Sequence, residues 1–221
     1  MKKSLLFVLA LSISMGLSAQ NEDYKNVLTL NIGASLPGTL FDLFDNNNLN
    51  EFEIDVDGQI SNVSGQFVGR SAPAIQVNYD YGIVKWFSVG GGLSYQNMGF
   101  EIQNLSYLDE DEALQKGVDL VDVGINRINI GIRPLFHYGN NDKLDLYSGF
   151  RIGLTSWITD VTASDTNIQN DIDSTPFAGV NLAFQVIPFA LRGYFSENFG
   201  INFETGIGAP HYFSLGLNYR L

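Results

Sequence analysis

The sequence contains two histidines and no cysteine, and this limits the acid–base and nucleophilic chemistry that the chain can perform. Without cysteine there is no disulfide framework, no cysteine nucleophile and no cysteine metal site. His211 lies near Ser214 and Glu204, and a hydrolytic nucleophile–base pair needs such residues within hydrogen-bond reach. On a regular strand, however, an offset of three residues puts His211 and Ser214 on opposite faces. We therefore predict that His211 is an ordinary histidine at the rim of the fold.

Carboxylates concentrate in three stretches, residues 37–70, 101–120 and 157–176, where only Arg70 and Lys116 offset them. Carboxylate oxygens are calcium ligands, and the Asp55-Val56-Asp57-Gly58 run resembles the start of a calcium loop. It lacks the distal bidentate glutamate of such a loop, so we expect a solvated, self-repelling surface and no metal site. The acids are Asp42, Asp45, Glu51, Glu53, Asp55, Asp57, Glu101, Asp109, Glu110, Asp111, Glu112, Asp119, Asp160, Asp165, Asp171 and Asp173.

Apolar and polar residues alternate with period two along most of the chain after residue 25, which predicts strands with two different faces. In the first of them Leu28, Leu30 and Ile32 share one face, whereas Thr29 and Asn31 share the other. Single-chain bacterial β-barrels have an even number of strands of this length. The predicted strands occupy residues 26–36, 71–82, 86–100, 121–138, 143–156, 177–195, 199–208 and 212–221.

The connections between these strands alternate in length, with short turns at 83–85, 139–142 and 196–198. The long connections are the three acidic stretches, which therefore fall together at one end, and a short link at 209–211 joins the last two strands. Bacterial barrels have short periplasmic turns and longer outer loops, so this order predicts that both termini are periplasmic. We also expect a short surface helix over Asp109–Lys116.

Three positions interrupt the regular pattern. The alternation slips between Ile125 and Ile128, and again near Pro188. A closed barrel has no free edge to accept proline, so Pro134 and Pro188 predict bulges or local loss of pairing.

The polar face of the strands consists of glycine, serine, asparagine and isolated charges rather than the mixture typical of a water-facing sheet. A barrel of about eight strands is just filled by its inward side chains, so this face suits a narrow lumen. Charges there must pair, because the site is poorly hydrated, and we expect Glu204 to contact an arginine across the lumen. The predicted lumen charges are Asp80, Asp145 and Glu204 against Arg127, Arg133, Arg151, Arg192 and Arg220.

Aromatic residues gather near the predicted strand ends, as expected for girdles at the two interfaces of a membrane. Trp86, Phe87, Tyr138, Tyr194, Phe195, Phe199 and Tyr219 fall at the end with short turns. Tyr95, Phe100, Trp157, Phe177, Tyr212 and Phe213 fall at the end with long connections.

Residues 1–19 have the layout of a secretory signal peptide, with Lys2 and Lys3 ahead of an apolar run that ends in small residues. The run is shorter than the roughly 20 apolar residues of a spanning helix. Cleavage after Ala19 would leave residues 20–221 as one exported domain. Loss of two lysines changes the formal charge from −12 to −14. Such a charge argues against a nucleic-acid partner, because phosphate binding needs a basic face.

The chain ends Ser214-Leu-Gly216-Leu-Asn-Tyr219-Arg-Leu221, which resembles the terminal signal read by the barrel assembly machinery of the outer membrane. Ser214, Gly216, Tyr219 and Leu221 occupy its polar, glycine, aromatic and final apolar places, although the final residue is usually phenylalanine. With the Ala19-Gln20 junction, this ending resembles the small outer-membrane β-barrels of OmpA/OmpX type. It resembles the "outer membrane protein beta-barrel domain" proteins of Bacteroidota more than that type.

The resemblance implies an all-β, closed, antiparallel transmembrane barrel of about eight strands, in the outer membrane of a Gram-negative bacterium. It implies a structural or surface-interaction role, with lipid and the assembly machinery as partners and an unknown ligand at the three acidic stretches. It implies no enzymatic activity, no cofactor and no pore. Two alternatives remain: a lipid-modifying enzyme using His211, and a secreted lipocalin-like binder with an apolar lumen.

Overall fold

The computed structural model describes residues 26–40, 54–56, 59–61, 64–108, 114–138, 143–163 and 179–221. Residues 36–40 form a helical turn, and no helix in the described ranges is long and apolar enough to cross a membrane. The predicted signal peptide, residues 1–19, lies outside the described residues.

Nearly all of the described residues belong to β-strands, as the period-two pattern predicts. In chain order the strands are β1 (Asn26–Ala34), β2 (Ile54–Val56), β3 (Gln59–Ser61), β4 (Ser64–Ser71), β5 (Ala74–Val84), β6 (Phe87–Leu108), β7 (Leu114–His137), β8 (Leu144–Ala163), β9 (Gly179–Tyr194), β10 (Phe199–Thr205), β11 (Ile207–Gly208) and β12 (Phe213–Arg220).

Eight of these strands form a ring of hydrogen-bonded antiparallel neighbours. The order around the ring is β1, β5, β6, β7, β8, β9, β10 and β12. It closes because β12 pairs with β1 and β10 pairs with both β9 and β12. The predicted fold, an antiparallel barrel of eight strands, is therefore confirmed. The first residue of β1, Asn26, and the turns at 85–86 and 195–198 lie at one end of the barrel, here called the turn end, and the opposite end is called the loop end.

The two faces of the wall are assigned as the sequence predicts, with apolar side chains outside and polar side chains inside. Buried on the inner face are, for example, Asn78, Asp80, Ser94 and Arg133, each at most 2% exposed. This arrangement is the reverse of a soluble barrel, because large apolar groups cover the outside. The outer face, here called the apolar belt, includes Leu28, Leu30, Ile32, Ile75, Val77, Tyr79, Leu93, Ile130, Ile132, Phe150, Ile152, Leu154, Phe184, Ile201, Leu215 and Leu217.

Three strands extend well beyond the predicted limits, and this corrects the expected loops at 101–120 and 157–176. Strands β6, β7 and β8 have 22, 24 and 20 residues, whereas about 9–11 suffice to cross a bilayer. β4, within the expected loop 37–70, pairs with the extended part of β6. The helix predicted over Asp109–Lys116 is wrong at its end, since β7 begins at Leu114, and its other residues lie outside the described ranges.

The register explains what the irregular positions do. Near Pro188 the pairing of β9 with β8 shifts by one residue, so the predicted bulge is confirmed. At Pro134, two residues of β7 have no pairing partner on β8, and the pairing then resumes in the same register. This is a local loss of pairing without a bulge. The change of phase in the apolar alternation between Ile125 and Ile128 involves no bulge, because β7 pairs with β6 without a shift there. The apolar residues change face instead: Ile125 points inward, opposite the fully buried Met98, whereas Ile130 points outward.

Aromatic side chains form a girdle at the turn end, with Trp86, Phe87 and Phe136 in mutual contact and Phe199 against Tyr219 at 4.8 Å. Three of the residues predicted for the girdles lie elsewhere. Tyr194 is 6% exposed and lies inside the barrel, against the Arg220 guanidinium. Trp157 contacts Arg127 of the lumen, and Phe100 stacks on Phe67 of β4. Phe177 lies outside the described residues. At the loop end Tyr95 and Phe213 are exposed, as predicted.

A charge on the apolar belt should destabilise the barrel according to its depth. Ile130 lies about halfway along the barrel part of β7 and is 60% exposed. We expect Ile130→Arg to cost about 2–4 kcal/mol in lipid vesicles, since an arginine near the bilayer midplane carries that penalty. Urea unfolding, followed by the gel shift between folded and unfolded barrel, measures the change. Leu36→Arg, on the helical turn at the loop end, is the control and should cost about 0–1 kcal/mol; equal costs would contradict a membrane-spanning belt.

Candidate functional site

A continuous chain of ion pairs crosses the lumen, centred on Glu204 of β10. Glu204 is fully buried and accepts a hydrogen bond from Arg133 Nη2 at 2.6 Å. Its other oxygen lies 3.4 Å from Arg151 Nη2, and Tyr147 donates to the first oxygen at 3.2 Å. The sequence predicts a contact between Glu204 and an arginine, and the structure contains two.

The chain of contacts continues towards the turn end through Asp80 of β5. Arg133 Nε lies 3.2 Å from Asp80 Oδ1, and Arg192 Nη2 donates to Asp80 Oδ2. Arg192 also lies 3.6 Å from Asp145 Oδ2. Three carboxylates therefore meet three guanidinium groups, so this buried cluster, here called the lumen network, is balanced in formal charge when its acids are ionised.

The lumen network packs against a small cluster of buried apolar residues. Tyr147 is fully buried beside Leu135, Ile187 and Ala190. The Arg192 guanidinium carbon lies 4.5 Å from the centre of the Tyr147 ring, a favourable cation–π distance. Packed rings and paired charges thus fill the barrel, as expected of eight strands.

Arg127, which the sequence places in the lumen network, stands apart from it. Its guanidinium donates to Gln96 Oε1 at 2.6 Å and to the Pro210 carbonyl, and it lies over the Trp157 ring. It forms no ion pair with an acid among the described side chains. The prediction failed because the alternation shows which side of the wall a residue occupies but not its position along the barrel axis. Arg127 lies nearer the loop end than the acids do.

His211 is not a rim histidine, since it is 1% exposed and its Nε2 lies 3.3 Å from Glu204 Oε1. The link between β11 and β12 bends into the barrel mouth, where Gln185 donates to the His211 carbonyl at 2.6 Å. Ser214 is buried too, but its hydroxyl accepts from Asn31 at 3.4 Å. The hydrolytic pair considered for His211 and Ser214 is therefore not assembled as a hydrogen bond.

A second histidine forms an arrangement that sequence reasoning missed. His137 Nε2 lies 2.8 Å from Ser88 Oγ, and His137 Nδ1 lies 2.8 Å from Asp145 Oδ1. These are the contacts of a serine–histidine–aspartate triad. Ser88 is 1% exposed and His137 is 4% exposed, so the group is enclosed at the turn end of the lumen. The signal available in the sequence was three inward polar residues at the same end of three consecutive strands.

Beyond the barrel, β4, β6, β7 and β8 continue side by side as a four-stranded sheet, here called the projecting sheet. Ten residues of β6, Gly99 to Leu108, extend past Met98, which at about 3.3 Å per residue is roughly 30 Å. Arg70 ties three strands together on one face, at 3.0 Å from Glu101 and 2.5 Å from Asp122. Phe67 and Phe100 stack at 4.9 Å on the other face.

Three residues of the predicted assembly signal, Ser214, Gly216 and Tyr219, lie on β12, the strand that closes the ring, and Leu221 directly follows it. Ser214 and Gly216 have the inward parity, whereas Tyr219 and Leu221 have the outward one. The described side chains contain no group of three His, Asp or Glu residues arranged to hold a metal ion. The side chains of the candidate calcium run at Asp55 and Asp57 lie outside the described residues.

Breaking the lumen network from one side should be costly. Glu204→Gln leaves Arg133 and Arg151 without their shared carboxylate, and removing one partner of a buried pair typically costs about 3–5 kcal/mol. Urea unfolding of the folded barrel measures this loss. Glu101→Gln is the control, because its pair with Arg70 is 30–39% exposed and exposed pairs contribute at most about 1 kcal/mol. The double variant Glu204→Gln/Arg133→Met should regain part of the stability; a Glu204→Gln barrel as stable as the native one would contradict the pairing.

No family model matches the chain, and no curated protein matches it. Solved structures similar to it include Ail, the attachment invasion locus protein of Yersinia pestis. That crystal structure has 12% identity and a TM-score of 0.41, and the match covers 89% of this chain and 97% of Ail.

Two further structures of the same protein match over a similar length. Ail in a phospholipid bilayer nanodisc has 14% identity and a TM-score of 0.41, over 90% of this chain and 100% of that one. Ail in complex with the heparin analogue sucrose octasulfate has 15% identity and a TM-score of 0.39, over 89% and 99%. Independently of these likenesses, the strand ring and its apolar exterior give this chain the fold of the small eight-stranded outer-membrane β-barrels.

Proposed function

We propose that the chain is an integral outer-membrane protein that presents the projecting sheet to partners outside the cell. The observation that carries this proposal is the pairing of an apolar belt with strands about twice as long as the belt requires. A barrel needed only to span the membrane would end near the rim. The extra strand length therefore serves the space beyond the membrane.

Three features together support the proposed location in the outer membrane. In lipid every backbone group must be paired within the protein, and a closed β-barrel meets that condition. Residues 1–19 would direct export, and Ser214, Gly216, Tyr219 and Leu221 would be read by the barrel assembly machinery. With short turns on the periplasmic side, both termini are periplasmic and the projecting sheet is extracellular.

The lumen supports a structural rather than a conducting role. Glu204, Arg133 and Asp80 meet across the interior, and each of them is at most 2% exposed. Eight strands leave room for side chains but not for an aqueous channel. The barrel is thus a rigid anchor, and the interaction role belongs to the loop end.

The partner of the projecting sheet should be basic or neutral. The stretches 37–70, 101–120 and 157–176 contain sixteen acids against Arg70 and Lys116. Such a surface attracts cations and repels polyanions. Ail has been solved with a heparin analogue, but on charge grounds we do not extend polyanion binding to this chain.

The charge of the loop end indicates what kind of partner would be held. Arg70 is already paired with Glu101 and Asp122 on one face of the projecting sheet. The three acidic stretches contain no other basic residue except Lys116, and such an excess of acids attracts cationic groups. We therefore infer that the partner presents a basic segment.

The charge of the partner can be tested with synthetic peptides. The probe is a peptide of alternating valine and lysine, and the protein is held in nanodiscs on a sensor surface. We expect the probe to bind at least tenfold more tightly than a peptide of the same length with glutamate in place of lysine, because an acidic surface attracts cations and repels anions. Binding should weaken as salt rises, through screening.

Two variants provide the controls for this experiment. Replacement of 103–120 by Asn-Gly, a favoured hairpin turn, should abolish binding while the barrel still folds by gel shift. Asn and Gln in place of the acids at 109–112 keep the length and should reduce binding only partly. Equal binding of the glutamate peptide, or preferential binding of heparin, would contradict the proposal.

The serine–histidine–aspartate group does not change the non-enzymatic assignment that we propose. A nucleophile must reach its substrate, and Ser88 is 1% exposed behind the wall. Its hydrogen bonds satisfy buried polar groups, which would otherwise be costly. The lipocalin-like alternative needs an apolar lumen, and here the lumen is polar and charged.

Covalent labelling tests whether Ser88 is an active nucleophile. A small fluorophosphonate should leave the folded protein unlabelled in detergent, and Ser88→Ala should give the same result. A known serine hydrolase in the same detergent is the positive control. Labelling of the native protein that Ser88→Ala or His137→Gln removes would establish a catalytic serine and contradict the assignment.

A further inference from the structure

A pocket lies at the loop end, beside the ends of β1, β5 and β12. Its volume is about 280 Å³. It forms because the chain leaves the wall after Ala34 as a helical turn and rejoins it at Pro73 and Ala74. This size is at the lower limit of the roughly 300–1,000 Å³ of small-molecule sites, so it accepts part of an elongated molecule.

The upper wall of the pocket is polar but already satisfied internally. Ser35 donates to Gln96 Oε1 at 2.7 Å, and Gln96 Nε2 donates to the Ala72 carbonyl at 2.9 Å. The Gly38 amide donates to Ser35 Oγ at 3.2 Å. A Cβ at Gly38 would collide with Ser71 Oγ and Gln96 Nε2, so glycine permits this close approach. Because these groups bond to each other, a polar ligand would find few free partners.

The lower wall of the pocket is apolar and continuous with the apolar belt. Ile32, Phe213 and Leu215 line it, and they are 58%, 40% and 55% exposed. Leu36 and Leu40 of the helical turn, beside the pocket, are 65% and 45% exposed. The opening therefore faces the zone where membrane hydrocarbon meets the interface.

We propose that this pocket holds the end of an acyl chain from a lipid in the leaflet nearer the loop end. The inference rests on the membrane location proposed above but not on any extracellular partner. Hydrocarbon already contacts Ile32 and Leu215 in a bilayer, and a void beside them would forfeit dispersion contacts that a methylene chain supplies. The graded lining, apolar below and polar above, matches a chain that enters from the membrane side. The helical turn 36–40 then acts as a cap over a bound lipid.

Native mass spectrometry can test the proposal on the protein purified from membranes in detergent. We expect the native protein to keep one lipid per chain after a detergent wash that strips bulk lipid. Ala34→Trp, which fills the pocket, should lower the lipid-bound fraction at least fivefold. Leu93→Trp puts the same indole on the belt away from the pocket, at a site 53% exposed, and should leave that fraction unchanged.

Proton contacts locate the chain directly. In a sample refolded without lipid and then titrated with phospholipid, acyl methylene protons should show NOEs to the methyl groups of Ala34 and Ile32. An NOE to Ile32 without an NOE to Ala34 would show that lipid lies on the apolar belt only, and this result would overturn the inference. Equal lipid retention by Ala34→Trp and by the native protein would overturn it as well. So would a dimer that the native protein forms and Ala34→Trp does not, because a second copy of the chain would then occupy the pocket.

The outcome can be separated from the fate of the proposed function. A protein recovered in the aqueous fraction without detergent would refute the membrane location itself. A barrel that folds in lipid, binds the basic peptide and keeps its lipid in Ala34→Trp would refute only the pocket.

Discussion

Pairing of buried charges in the lumen is the constraint on which the rest of the structure depends. A carboxylate removed from water is expensive unless it is paired and hydrogen-bonded. Here the contacts form one sequence, from Ser88 through His137 and Asp145 to Arg192, and on through Asp80, Arg133 and Glu204. Since these residues come from β5, β6, β7, β8, β9 and β10, the pairs can form only when those strands are in register. A slip by one residue would turn the charges outward into the apolar belt.

Glycine makes room for these long polar side chains inside a narrow ring. A Cβ at Gly90 would collide with the Asp80 carboxylate, and one at Gly92 would meet the Asn78 amide. Gly216, the glycine of the proposed assembly signal, stands in the same relation to Asn31. Each pairs across the ladder with the residue that it accommodates. The recurrence of glycine on inward positions is therefore a packing requirement, and it is met strand by strand.

The wall and its two faces could be predicted from the sequence, because a period of two and the choice of apolar or polar side chains are local properties. The contact of Glu204 with arginine was predictable for a related reason, since a lone acid in a narrow polar lumen needs a cation. The height of each residue along the barrel is not local, because it depends on the shear between strands. For that reason Arg127 was placed in the lumen network, and the contact of Ser88 with His137 was missed.

The length of β6, β7 and β8 escaped prediction for a different reason. Beyond Tyr95 and Asn126, towards the loop end, the outward face meets water and no longer needs apolar residues. The strands continue to pair there, although their polar sequence is typical of a loop. Arg70, Glu101 and Asp122 hold the projecting sheet with charges that look like ordinary loop charges in the sequence. The same structure thus uses charge in two ways. Inside, the three acids and three arginines of the lumen network pair with each other, and these pairs fix the register of the strands that carry them. At the loop end, acids exceed bases in the sequence, and this excess is the basis of the proposed interaction with a basic partner.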